Sequence, residues 1–145
     1  SDKHVALYLH REGYFQGRCP LLFRKLIRGM RSQLGEWGDP ESELYVRCIE
    51  FHTYTEGGGL LDPGHRDNGS VLSMAVLLSD AEDMDGGQFV TYSDGLPIVH
   101  QMKTGDAILF HSEKCHNIAT ITRGMRHSLV VELWAARTNT NGRFC

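Results

Sequence analysis

From residue 44 to residue 134 the chain is a succession of short runs rich in β-branched and aromatic residues, parted by clusters of Gly, Asp and Asn. That punctuation limits the fold more than any other feature of the sequence. Strands are predicted over 44–53, 71–78, 88–92, 97–102, 107–110, 116–122 and 126–134, with loops at Gly57-Gly58-Gly59 and over 80–87. Many short strands at even spacing point to an antiparallel jelly roll or barrel, not to alternating βαβ units. Ahead of them one helix is predicted to start at Pro20, a residue suited to the first helical position, and to end in the breaker-rich stretch 35–40. Leu22, Phe23, Leu26, Ile27, Met30 and Leu34 fall at helical spacing, while Arg24, Lys25, Arg28 and Arg31 occupy the other face and read as solvated. The expected organisation is one domain over 1–145, with helical support in 1–40 and a β core in 44–135.

At 145 residues and 41% hydrophobic, such a domain can bury roughly 68–70% of the surface its unfolded chain exposes. A net charge of −3 and a pI near 6.2 offer no global attraction for phosphate backbones or anionic membranes, so nucleic acid is not an expected partner. No apolar run approaches the roughly 20 residues of a membrane-spanning helix, so direct membrane insertion is not expected, and Ser1-Asp2-Lys3-His4 is not a signal peptide. The short chain and abrupt start read as a domain cut from a longer protein, which leaves compartment and oligomeric state open. Cys19, Cys48, Cys115 and Cys145 are scattered without a C-x-x-C pair, which argues against a thiolate zinc site and leaves free thiols or one or two disulfides.

His65-Arg66-Asp67 places an imidazole and a carboxylate two residues apart, where side chains on an extended segment share a face. Two histidines and one carboxylate on one face of an octahedron leave three positions open, the arrangement of non-haem Fe(II) oxygenases. A second histidine is therefore sought downstream, among His111, His116 and His127. A 2-oxo acid chelating the metal needs a distant cation for its far carboxylate, and Arg126 lies ten residues after His116 across a turn at Thr122-Arg123-Gly124. A guanidinium fork suits that carboxylate, and the expectation is that one strand brings His116 and the next brings Arg126. Strand parity puts Ser128 on the face of Arg126 and turns His127 away, so His116 is preferred.

The order H-x-D, then His, then G-x-R-x-S resembles the 2-oxoglutarate/Fe(II)-dependent oxygenase superfamily, most closely its prolyl 4-hydroxylase-like catalytic domains. The resemblance runs from about Tyr45 to Trp134. It is supported by Tyr54-Thr55-Glu56-Gly57-Gly58, Gly86-Gly87-Gln88-Phe89, Gly105-Asp106-Ala107-Ile108-Leu109-Phe110 and Thr122-Arg123-Gly124-Met125-Arg126.

The resemblance implies a double-stranded β-helix (jelly roll, cupin-like) with Fe(II) held by His65, Asp67 and His116, and 2-oxoglutarate on Arg126. O2 is then the oxidant, ascorbate an accessory, and succinate and CO2 are products of C–H hydroxylation. Tyr54 resembles a family tyrosine that lines the co-substrate pocket, and Ser128 stands in for a second tyrosine that the aliphatic run 71–78 lacks. A carboxylate at position 67, where related halogenases have none, favours hydroxylation. Glu132, six residues after Arg126, replaces the second arginine of nucleic-acid demethylases. The expected substrate is a peptidyl residue such as proline. The alternatives are a small-molecule hydroxylase with the same centre, or a cupin-like module that binds metal or carboxylate without turnover. His52, His100, His111 and His127 are expected to be structural or exposed, Cys115 to be a buried thiol facing away from the metal, and the acidic 80–85 stretch to be a solvated loop, not a Ca²⁺ site. Asp62 and Arg66 are placed near the pocket mouth.

Overall fold

The computed structural model describes residues 2–135, so Cys145 and the last part of the domain expected over 1–145 lie outside the described residues. Three short helices precede most of the strands: α1 (Tyr14–Arg18), α2 (Pro20–Arg31) and α3 (Leu34–Trp37). Helix α2 starts at Pro20, as its fixed φ and missing N–H favour. It stops earlier than its apolar pattern suggested, and Leu34 is buried from α3, after a turn through Ser32-Gln33. Two further details differ from expectation. Leu22 is exposed, and Arg31 is half-buried, donating from Nη2 to the carbonyl of Ser42 at 2.9 Å.

The stretch read as purely helical support also contains a strand, β1 (His4–Tyr8), antiparallel to β2 (Tyr45–Tyr54). It is only five residues long, too short for its alternation to stand out beside the helix that follows. Strands β1, β2, β10 (Arg126–Trp134), β3 (Leu72–Leu77) and β7 (Ala107–His111) form one antiparallel sheet in the order β1-β2-β10-β3-β7. The smaller sheet is β6-β5-β8, from β5 (Phe89–Ser93), β6 (Leu96–His100) and β8 (His116–Ile118). A two-stranded ribbon pairs β4 (Met84–Gly86) with β9 (Ile121–Gly124).

The period of two along each strand explains two apolar layers. One face of the large sheet presents Ile49, Leu72, Met74, Val76, Leu129, Val131 and Leu133 to Phe15, Phe23, Leu26, Ile27, Met30 and Leu34 of the helices. Its other face looks toward the small sheet, where Tyr54, Ala75, Phe89, Phe110, Ile118 and Ile121 cluster. Strand β3 is covered on both faces, every residue buried, which is why it reads as a largely apolar run, broken only by Ser73, and not as an alternation. Two sheets enclosing a core in this topology make a double-stranded β-helix, mainly β, with the helices as an outer layer.

Two segments differ from the sequence reading. The stretch 80–87 is a 3₁₀ turn over Ala81–Asp83 followed by β4, with Asp80 capping the turn by accepting from the Glu82 amide at 3.2 Å. The run 116–122 is two strands, not one: after Ile118 the chain passes through Ala119-Thr120 and exchanges its partner β5 for β4. Among the described residues Cys19 and Cys115 are free thiols, Cys48 donates from Sγ to Glu132 Oε2 at 3.2 Å, and Cys115 is half-buried instead of buried.

Candidate active site

The cavity between the sheets is lined by His65, Asp67 and His116 and by Arg126, Ser128, Tyr54, Glu50, His52 and Glu132, with Leu60, Ala75, Phe89, Phe110, Ile118 and Val130 supplying apolar wall. The structure thus brings together every residue singled out from the sequence as a ligand or co-substrate contact. Their delivery differs from expectation. His116 belongs to β8 of the small sheet and Arg126 to β10 at the centre of the large one, so the two face each other across the core and are not carried by adjacent strands.

His65 lies on the loop before β3, and its position is set by backbone pairing. Leu60 bridges Ile118, and the His116 amide donates to the His65 carbonyl at 3.1 Å, so the loop runs beside β8 as an irregular extra strand. On the outer face of β8, Asn117 donates to the Asp62 carbonyl at 3.0 Å and receives the Tyr92 hydroxyl at 2.8 Å, which clamps the loop from behind. As a result Asp67 Oδ1 stands 3.5 Å from His65 Nε2 and 3.6 Å from His116 Nε2, and the three ligand atoms lie within 4.8 Å of one another.

The donor set fits a divalent transition metal. His116 is stacked on Phe89, with ring centroids 5.6 Å apart, and its Nδ1 lies 3.0 Å from the Lys114 carbonyl. A carbonyl accepts only, so Nδ1 carries the proton and Nε2 presents its lone pair to the cavity. Burial, opposed by the Asp67 charge, moves His116 below the ordinary histidine value, which favours the neutral imidazole that ligates metals.

At the other end Arg126 is 2% exposed. Its Nε donates to the Gly87 carbonyl at 2.9 Å, and among the described residues no carboxylate pairs with it. Burial pulls its pKa below the usual arginine value, yet a guanidinium stays charged at neutral pH. Tyr54 is its Cα partner across the β2–β10 ladder, with the guanidinium 6.0 Å from the ring centre. The His4 ring stacks on Tyr54 with centroids 4.0 Å apart, and burial raises the phenol to about 12, so Tyr54 is a neutral donor. Ser128, paired with His52 in register, is 1% exposed on the same face.

Several residues went unrecognised in the sequence. His52, expected to be structural or exposed, lines the cavity, with Nε2 2.8 Å from Glu50 Oε2 and Nδ1 2.7 Å from His4 Nε2. Glu50 and Glu132 line it too. Glu132 accepts the Ser70 hydroxyl at 2.6 Å and lies 3.6 Å from Arg47. The available signal was parity: Glu50 and His52 share the face of Tyr54 on β2, as Glu132 shares that of Arg126 on β10. His127 faces outward against Phe51, with centroids 5.4 Å apart, and His111 sits by Trp37 at 6.4 Å. Arg66 points away from the cavity into a groove of about 550 Å³ on the other side of the loop, shared with Leu61, Pro63, Tyr92 and Asn117.

No family model matches the chain. It is 36% identical over 91 residues to a PKHD-type hydroxylase of Caulobacter vibrioides, an overlap of 52% of this chain and 38% of that relative's length. Its fold is similar to an oxidoreductase of the 2OG-Fe(II) oxygenase family from Burkholderia pseudomallei, at TM-score 0.67 and 19% identity, over 97% of this chain and 70% of that one. It is also similar to a prolyl hydroxylase from Trichoplax adhaerens in complex with a hypoxia inducible factor peptide fragment, at TM-score 0.65 and 16% identity, over 91% of this chain and 63% of that one.

Proposed function

Because the chain belongs to the 2-oxoglutarate/Fe(II)-dependent oxygenase superfamily, with a prolyl 4-hydroxylase-like catalytic domain, we propose that it hydroxylates a C–H bond of a peptidyl substrate such as proline. The observation that carries this reading is the pairing, in one cavity, of a His/Asp/His cluster with a buried guanidinium that has no carboxylate partner among the described residues. A buried charge is costly unless compensated, and here the compensation that fits is the distal carboxylate of 2-oxoglutarate. Bound Fe(II) with this co-substrate supplies the oxidising chemistry, consuming O2 and releasing succinate and CO2.

The protein's own residues do the rest. His65 and His116 offer Nε2 and Asp67 offers Oδ1. Arg126 takes the far carboxylate through its terminal nitrogens, since Nε is held by Gly87, and the Ser128 and Tyr54 hydroxyls border the same end. Phe89, Phe110, Ile118 and Val130 keep water from the reacting atoms, which strengthens each polar contact inside. The peptide reading is supported by the peptide-bound structural neighbour.

The test is anaerobic addition of Fe(II) and 2-oxoglutarate, followed by O2 and a peptide and metabolite panel. The expected result is a visible charge-transfer band, then succinate release stimulated by a peptide. Stimulation by metabolites alone would replace the peptide with a small molecule, a band without succinate on any substrate would indicate a binding module, and no band would overturn the whole reading.

A further inference from the structure

We infer that Ser73 and Ser112 form a buried hydroxyl relay that decides which oxygen of Asp67 faces the metal, and so act as positioning residues for the centre. The inference rests on the metal reading above. Ser73 lies on β3 and Ser112 directly after β7, and both are 0% exposed. Ser73 Oγ is 2.6 Å from Asp67 Oδ2, and Ser112 Oγ is 3.1 Å from Ser73 Oγ.

Proton count sets the direction of this chain. An ionised carboxylate accepts only, so Ser73 gives its single proton to Oδ2. Ser73 can then only accept from Ser112, so the order is Ser112 to Ser73 to Asp67, each bond polarising the next. Ser112 also holds the ligand's main chain, because the Asp67 amide donates to its carbonyl at 3.0 Å. With Oδ2 engaged on the β3 side, Oδ1 is the oxygen left toward His65 Nε2 and His116 Nε2. Losing the relay removes its restraint on rotation of the carboxylate about χ2, which would let Oδ2 compete with Oδ1 for the ion. Ser73 stands opposite Phe110 on one side and Glu132 on the other, fully enclosed on a strand buried on both faces.

The experiment is titration of the folded protein with Co(II) alone, a spectroscopic stand-in for Fe(II), for the wild type, Ser73→Ala, Ser112→Ala and the double variant, with the Tm of each metal-free protein measured alongside. Removing a hydrogen bond to a ligating residue typically costs about 10- to 100-fold in metal affinity. Ser73→Ala is expected to weaken Co(II) by that factor and Ser112→Ala by less. The double variant should bind no more weakly than Ser73→Ala, because Ser112's side chain acts only through Ser73. A merely structural role would lower Tm without this pattern. Wild-type affinity in Ser73→Ala, or strictly additive losses, would overturn the relay while leaving the metal site standing. A wild type that binds no Co(II) would overturn the metal reading itself. Should Ser73→Ala fail to fold, Ser112→Ala decides alone: weaker Co(II) binding at unchanged Tm upholds the relay, and unchanged binding overturns it.

Discussion

At the scale of single residues, the division of labour between the two ends of the cavity predicts separable losses. Asp67→Ala should abolish metal binding. Arg126→Ala should keep the metal and weaken 2-oxoglutarate by roughly 10- to 100-fold, the worth of one or two charge-assisted hydrogen bonds, as read by anaerobic titration of the charge-transfer band. Equal loss of metal and co-substrate in Arg126→Ala would show that the guanidinium supports the fold, not the ligand. Gly87 offers a sharper probe of the same end. It sits at φ +71°, and a Cβ there would come 2.5 Å from Ile121 Cδ1 and 3.2 Å from Arg126 Cδ. Gly87→Ala is therefore expected to cost about 1–3 kcal/mol in chemical denaturation and to weaken 2-oxoglutarate by displacing Arg126. Wild-type affinity for the co-substrate would mean that Ile121 alone gives way.

At the scale of elements, β1 ties the N-terminal region to the Arg126 end of the cavity. His4 stacks on Tyr54 and bonds His52, and burial, followed by repulsion from His52, pushes its pKa down to about 4. Glu50, on the far side of His52, opposes that shift. A histidine depressed when folded binds its proton more readily when unfolded, so its stabilisation is complete above about pH 6.5 and is lost as pH falls toward 4. Protection factors of the β1 amides, that is, exchange corrected for its intrinsic pH dependence, should fall as pH drops across that window, and His4→Phe, which keeps an aromatic ring but cannot titrate, should flatten the dependence. Protection in β1 that stays constant there would remove His4 as a pH-sensitive restraint.

At the scale of the whole molecule, the large sheet separates a structural layer from a chemical one. Met30 is fully buried between α2 and the outer face of that sheet, on the side away from the cavity. Met30→Ala should cost about 2–5 kcal/mol, visible as a lower Tm, while the affinity for Co(II) stays unchanged in the folded protein. A large loss of metal affinity would mean that the two faces are coupled through β3 and β10 more tightly than their packing suggests. The same separation explains the buried polar residues, since Ser73, Glu132, Arg126 and Ser128 all occupy the inward positions of strands whose other face is aliphatic.

What the sequence determined by itself was local. The start of α2 was legible because Pro20 acts within one turn, most strands because β-branched runs end at Gly and Asp, and the gathering of His65, Asp67, His116 and Arg126 in one cavity because their order and spacing are written along the chain. Parity on β10 also placed Ser128 inward and His127 outward. Only the tertiary structure decided what depends on strand partners. It divided 116–122 between two sheets, added β1, and set His116 and Arg126 on opposite walls of the core. It also carried His52, Glu50 and Ser73 into the site from elements with no motif. The physical reason is that a ligand's identity resides in one residue, whereas its orientation comes from hydrogen bonds such as Ser73 to Asp67, six residues apart, and Ser112 to Ser73, thirty-nine residues apart, which exist only once β3 and β7 are paired.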